Sequence, residues 1–219
     1  MEITKPLTLG WSDPDDCDGD EEDEDETNWR CLEQRKQRFW VWGEVTWKKI
    51  EPILAGLYSI QFDGDGPSSN TILHFNSEGG DFYAGLALGE FIRTAVGMPI
   101  VGVADGNVAS AAFYAFACCH FRMCVPAARF TFHGSQSNFG YNGSNSLPDA
   151  VKSHIAIDRA TCKVLGNHTG VPYKKWWKIV KSGRNWSFGA AEARQMGIVD
   201  HIRGIDDPPP GYQEPQDDN

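Results

Sequence analysis

The sequence predicts an α/β fold in which helices cover a largely parallel sheet, and three observations support this class. Strand-like and helix-like segments alternate between residues 38 and 202, which is typical of strand–helix crossover units. Residues 99–104 (PIVGVA) form a continuous apolar run, as expected of a strand that is covered on both faces. The chain of 219 residues is 41% hydrophobic and 23% charged, a balance that allows a core of ordinary size.

The negative charge of the chain is concentrated at its two ends. The whole chain carries −10, but residues 1–26 alone carry −11 and residues 205–219 carry −5, so the remainder is basic at +6. Both ends are poor in apolar groups and therefore predicted to be disordered. We expect an acidic segment at 1–27, a single folded domain at 28–204 and a Pro-rich acidic tail at 205–219.

Each element of the domain has its own local signal. Apolar residues at helical spacing, such as Ile50, Ile53 and Leu57, indicate a helix over 46–62. Pro172 is typical of a helix start, and Gly183 and Gly197 of helix ends. Turns are predicted at 62–70 and at Asp105–Asn107. The predicted strands are 38–42, 71–75, 99–104, 122–125, 129–133 and 198–202. The other predicted helices are 82–96, 109–119, 148 to about 165, 172–183 and 190–196.

Ser110 is the first candidate for chemistry, because it lies where an apolar strand and a short turn lead into a helix of small residues. A serine at that point presents its Oγ beside the free backbone N–H groups of the helix start, which can stabilise an oxyanion. A helix-capping serine is the plainer interpretation of the same local sequence.

Gly79, Gly80 and His133 are further candidates. The two glycines follow a predicted strand directly, and paired glycines there allow a backbone N–H to approach a cleft. His133 ends the alternating strand RFTFH and is followed by Gly134, so its ring can reach a cleft. Taken singly, the paired glycines are more typical of an ordinary strand-to-helix turn, and His133 is more typical of a structural histidine.

Several classes of function are not supported by the sequence. Phosphate-loop motifs are missing, and residues 13–26 fail the EF-hand pattern because Pro14 stands at loop position 1. The adjacent Cys118 and Cys119 do not have zinc-ligand spacing. We expect no cofactor, no metal and no nucleic-acid or membrane partner. The chain shows no long apolar run and no secretion signal, so the predicted location is the cytoplasm.

Five segments, in this order, resemble the proteolytic subunit of the Clp protease family. They are HFNSEGGDFYAG, GVADGNVASAAFYAFA, RMCVPAARFTFHG, NHTG and WSFGAAEARQMGIVD. Each motif is weak alone, but the ordered set is specific and the resemblance covers residues 38–202. It implies a crotonase-like, ClpP-type spiral of repeated ββα units. It also implies a serine endopeptidase that uses Ser, His and Asp in that chain order.

The resemblance assigns roles residue by residue. Ser110 matches the nucleophile and His133 the general base, while Gly80 and Ala111 match the backbone donors of the oxyanion hole. Asn185 occupies the place of the third residue, usually Asp, when the sequence is aligned back from GIVD. An amide can still accept from the imidazole, although it supplies no charge.

The resemblance also implies partners: polypeptide substrates, and a homo-oligomer of two stacked heptameric rings. It implies an AAA+ unfoldase as well. Against that partner, the acidic residues 1–26 do not match the pore-lining N-terminal segment of the family. Gly134 and Ser135 replace the Gln-Pro that usually follows the histidine.

Three alternatives stay open at this point. The first is a crotonase-type acyl-CoA enzyme with the same fold, which would need a carboxylate base. The second is a non-catalytic or weakly active ring subunit, for which Asn185 would be a sign. The third is a plain binding scaffold.

Overall fold

The computed structural model describes residues 37–62, 71–95, 98–136 and 147–206. The predicted disorder of residues 1–27, the loop at 62–70 and most of the acidic tail therefore lie outside the described residues. The strands are β1 (Arg38–Trp42), β2 (Thr71–Ser77), β3 (Ile100–Ala109), β4 (Phe121–Cys124), β5 (Arg129–Phe132), β6 (Trp186–Gly189) and β7 (His201–Ile202). The helices are α1 (Trp47–Phe62), α2 (Phe82–Thr94), α3 (Ser110–Ala117), α4 (Leu147–His168), α5 (Tyr173–Ser182) and α6 (Ala190–Gln195).

The strands form one sheet whose main path runs β1-β2-β3-β4-β7, with every neighbouring pair parallel. β3 has two partners on the same edge: Val101–Ala104 pairs with β4, and Asn107–Ala109 pairs in parallel with β5. β5 then pairs with β6 in the only antiparallel ladder of the described sheet. This branch carries the end of β5, with His133, towards the end of β3, with Ser110.

The turn predicted at Asp105–Asn107 is wrong, because β3 continues through it to Ala109. Side chains support the backbone where the strand changes partner. Asn107 N donates to Asn76 Oδ1 at 3.1 Å, and Asn107 Nδ2 donates to Ser77 O at 3.4 Å. Asp, Gly and Asn in sequence usually indicate a turn, but here the register between β2 and β3 shifts instead.

The core is centred on α3, in which every residue from Ala111 to Ala117 is buried. Two glycines of α2 bring the two helices close together. A Cβ on Gly85 would lie 2.7 Å from Ala111 Cβ, and one on Gly89 would lie 2.7 Å from Tyr114 Cε1. An aromatic cluster lies on the other side of α3 and includes two of the helix's own residues. Its members are Phe113, Phe116, Phe130, Phe132, Trp176, Trp186 and Phe188.

The other predicted elements agree with the structure in type, and their ends differ at several places; β2, for example, continues to Ser77. β6 was not predicted, the strand predicted at 198–202 is reduced to two residues, and α4 extends to His168. The described fold also extends two residues into the predicted tail, because Asp206 Oδ2 accepts from Ile202 N at 2.8 Å. No helix in the described part of the chain is long and apolar enough to cross a membrane.

Candidate active site

A cavity of about 490 Å³ opens where β3, β5 and α4 meet. Its wall includes Ser110, His133, Gly80 and Ala111. Four of the five residues assigned from sequence thus come together, although three separate segments of the chain contribute them. Asn185 is not among the lining residues that the structure describes.

Ser110 is the first residue of α3 and follows β3 without a loop. Its φ is +55°, a left-handed conformation that is uncommon for residues other than glycine and is often found at functional sites. Ala109 is the N-cap of α3, and no side chain caps this helix. Within the described chain the Ser110 hydroxyl makes no hydrogen bond, so the capping interpretation does not apply. The hydroxyl is free to face the cavity.

Gly79 and Gly80 let the chain pass against Ser110 and against Val45, which lies between β1 and α1. Their φ angles are +95° and +148°, which side chains rarely allow. A Cβ on Gly79 would lie 2.5 Å from Ser110 Cβ, and one on Gly80 would lie 2.3 Å from Val45 O. Gly79 N donates to Ser77 Oγ at 3.0 Å and Asp81 N to Val45 O at 2.8 Å. Between these two donors, the N–H of Gly80 has no acceptor among the described residues.

His133 follows β5 directly and is half-buried. The strand alternates as its sequence predicts, with Phe130 and Phe132 buried and Arg129 exposed. His133 Nδ1 lies 2.7 Å from the carbonyl oxygen of Gly134. Because a carbonyl oxygen can only accept, this contact assigns the proton to Nδ1 and leaves Nε2 as an acceptor. No hydrogen bond joins His133 to Ser110 in the described chain, although both line the cavity.

Asn185 precedes β6 and is exposed. In the antiparallel ladder Phe132 pairs with Trp186, so the next pair in register would be His133 and Asn185. The ladder ends at the Phe132–Trp186 pair, one step before these two residues, and no hydrogen bond joins their side chains in the described chain. The role of Asn185 stays a prediction.

Among the polar residues of this wall that the sequence interpretation missed, Ser135, His154 and Asp158 are joined by hydrogen bonds. Ser135 Oγ lies 3.1 Å from His154 Nδ1, and Ser135 N donates to Asp158 Oδ1 at 3.0 Å. His154 and Asp158 are four residues apart on α4 and therefore share a face. The four-residue spacing of His154 and Asp158 in a predicted helix was the sequence signal that could have indicated these two residues.

A second polar group lies behind the cavity, on α2 and α3. Tyr114 Oη donates to Glu90 Oε1 at 2.6 Å, and Arg93 also contacts the Glu90 carboxylate. The hydrogen bond from Arg93 lowers the pKa of Glu90, with a smaller contribution from Tyr114. Burial raises the pKa of Tyr114. These contacts hold one wall of the cavity in place. The proton of the Tyr114 hydroxyl is used in the hydrogen bond to Glu90.

The described cysteines are buried and do not form a reactive group. Burial raises the pKa of Cys118 to about 12 and that of Cys124 to about 11, which disfavours the thiolate. No cluster of three or more metal-ligating side chains exists in the described part of the chain.

Comparison with known proteins places this chain in a family. A model of the family described as Clp protease matches residues 23–206. The chain is 30% identical over 177 residues to ATP-dependent Clp protease proteolytic subunit 2 of Tropheryma whipplei (strain Twist), covering 80% of this chain and 93% of that protein. Among solved structures, an asparagine-to-aspartate mutant of ClpP1 from Listeria monocytogenes matches with a TM-score of 0.66 and 20% identity. That match covers 78% of this chain and 95% of the other, and it confirms the ClpP-type α/β fold predicted from sequence.

Proposed function

Because the chain belongs to the Clp protease family, we propose that it is a serine endopeptidase whose nucleophile is Ser110 and whose general base is His133. The observation that carries the proposal is their shared cavity, which also contains Gly80 and Ala111. The positive φ of Ser110 and its unused hydroxyl support the same role.

The reaction follows from the atoms available. Ser110 Oγ attacks the substrate carbonyl while His133 Nε2 takes the hydroxyl proton. The oxyanion accepts from the N–H groups of Gly80 and Ala111, the latter free because the first turn of a helix has no internal acceptors. The C–N bond then breaks as His133 returns the proton to the leaving amine. Water, deprotonated by His133, hydrolyses the acyl-enzyme and restores the Ser110 hydroxyl.

The proposal includes Asn185 as the third member of the site, supported by its place just beyond the Phe132–Trp186 pair that ends the β5–β6 ladder. It also includes polypeptide substrates and a ring-shaped homo-oligomer of two stacked heptamers. Val151 and Ile155 of α4 are 39% and 40% exposed, and they form an apolar strip at i and i+4 suited to contact another copy. The chain has no nucleotide-binding motif, so any ATP-driven unfolding would need a separate AAA+ partner.

Covalent labelling tests the nucleophile. A fluorophosphonate probe should label the protein at Ser110, and Ser110→Ala should abolish both labelling and peptide hydrolysis while the fold persists. Loss of a triad member leaves only a small residual rate in serine peptidases. Ser187→Ala, at an exposed serine of β6, is the matched control and should label normally. Undiminished labelling of Ser110→Ala would refute the assignment.

A further inference from the structure

The cavity described above has a marked excess of negative charge. Its lining holds three carboxylates, those of Glu78, Asp81 and Asp158, and no lysine or arginine among the described lining residues. A cleft lined by charges of one sign concentrates groups of the opposite sign. The cavity is therefore suited to a cationic side chain.

Asp158 is the carboxylate built into the wall. Asp81 is already used as the N-cap of α2, where it accepts from Ala84 N at 2.9 Å, and Glu78 is exposed. Asp158 lies within α4, half-buried, and is held by the hydrogen bond from Ser135 N to its Oδ1. A proline at position 135 could not make this bond, because proline has no backbone N–H.

The second oxygen of Asp158 is unoccupied. Oδ2 has no hydrogen-bond partner in the described chain and would lie 3.6 Å from a Cβ on Gly134. Gly134 has no side chain to cover it, so this oxygen remains open to the cavity. The carboxylate is thus oriented by one oxygen and available through the other.

No lysine or arginine of the chain neutralises Asp158 within the described residues. The neighbouring Arg159 is directed elsewhere, with Cζ 5.2 Å from the centre of the Trp177 ring. Lys175 is likewise placed over Trp186, at 4.4 Å. A half-buried carboxylate without a counter-charge gains most when a ligand supplies one through a charge-assisted hydrogen bond.

We propose that Asp158 gives the enzyme a preference for lysine or arginine at the residue whose carbonyl Ser110 attacks. The inference rests on the proposed peptidase function. The side chain of that residue enters the cavity beside the nucleophile, between Ala111 and Tyr114 of α3 and Thr161 of α4. Tyr114 is committed to Glu90, so Asp158 is the group left to bind a cationic head.

Matched fluorogenic peptide amides test the preference. They carry lysine or the neutral isostere norleucine before the cleaved bond and are otherwise identical. Wild-type kcat/KM should favour lysine by about tenfold or more, as a charge-assisted hydrogen bond implies. Asp158→Asn should remove this preference by slowing the lysine substrate alone. Asp149→Asn is the control, since Asp149 lies exposed on the same helix and pairs with Lys152.

Binding to a catalytically inert protein separates this inference from the proposed function. Ser110→Ala should bind the lysine peptide more tightly than the norleucine peptide, and Ser110→Ala/Asp158→Asn should bind both equally. This binding preference would support the role of Asp158 even if no peptide were hydrolysed. A lack of hydrolysis would count only against the proposed peptidase function. A preference for norleucine, or an unchanged ratio in Asp158→Asn, would overturn the role of Asp158. An equal loss for both substrates would also overturn it, since it would indicate a positioning residue.

Discussion

The hydrogen bond from His133 Nδ1 to the carbonyl of Gly134 already sets the tautomer that a general base requires. A carbonyl carries no net charge, however, and it stabilises the imidazolium formed during attack less than a carboxylate would. In the proposed site, we therefore expect the third position to affect the charge balance more than the orientation of the ring.

We expect Asn185→Asp to raise kcat on a short peptide ester or amide several-fold. The new carboxylate would stabilise the protonated form of His133, since both residues directly adjoin the Phe132–Trp186 pair. In a trypsin-like site the reverse change cost about 10⁴ in rate, but Asn185 is exposed and solvent screens its charge. Steady-state kinetics at about pH 7–8, normalised by active-site titration, would measure the gain.

Asn167→Asp, at an exposed asparagine of α4, is the matched control for added charge. Equal or lower activity in a folded and assembled Asn185→Asp protein would show that another group, such as the Gly134 carbonyl, completes the site.

At the same scale, sequence could predict only part of the site. Ser110, Gly80 and His133 each stand at the end of a strand, where a linear pattern reveals them. Asp158 and Ser135 meet across 23 residues, and their contact depends on how α4 packs against the end of β5. A local sequence pattern does not show how α4 packs against the end of β5.

At the scale of elements, helices were easier to predict than strands. The spacing of apolar residues in α1 and the glycine after α5, with φ of +64°, are local signals. β3 differs because its second half is a strand only by virtue of β5, which pairs with Asn107–Ala109. β6 is a strand for the same reason, since β5 is its partner.

The apolar strip on α4 provides a test of the proposed homo-oligomer. Replacing Ile155 by lysine should reduce the oligomer to smaller species, because a charge buried without a partner in an apolar interface is costly. Native mass spectrometry at micromolar concentration would measure the distribution. Ser153→Lys, at an exposed position on the same helix, should assemble normally. A wild-type protein that is monomeric under these conditions would contradict the ring.

At the scale of the whole molecule, Arg122 joins distant parts of the fold. Its Nε and Nη2 donate to Asp200 at 3.0 and 3.1 Å, and its Nη1 to the carbonyl of His168 at the end of α4. Burial, reinforced by the cationic Arg122, lowers the pKa of His168. Burial also lowers the pKa of His120.

These shifts predict that stability falls in mild acid. Both histidines favour the neutral form in the folded state, so their stabilisation is complete above the ordinary pKa of 6.5. As the pH falls below that value, the unfolded chain binds protons first and the free energy of unfolding decreases. Urea unfolding should have a lower midpoint at about pH 5.5 than at about pH 7.5. His168→Gln should reduce the difference between the urea midpoints at the two pH values. A difference as large as that of the wild-type protein would exclude His168 as a cause.

The branch at β3 also bears on how the molecule is made. The cavity wall draws on residues from Glu78 to Val180, and the Arg122–Asp200 contact joins residues 78 positions apart. Parallel pairings between such distant segments form slowly, because loops must close before contacts compensate for the lost entropy. During synthesis, a chain that has emerged only as far as His133, just after β5, already contains Ser110 and His133 but lacks the wall that α4 and α5 contribute. On the proposed assignment, Ser110 and His133 gain their substrate cleft only once nearly the whole domain has been translated, so we expect the emerging polypeptide not to cleave its neighbours on the ribosome.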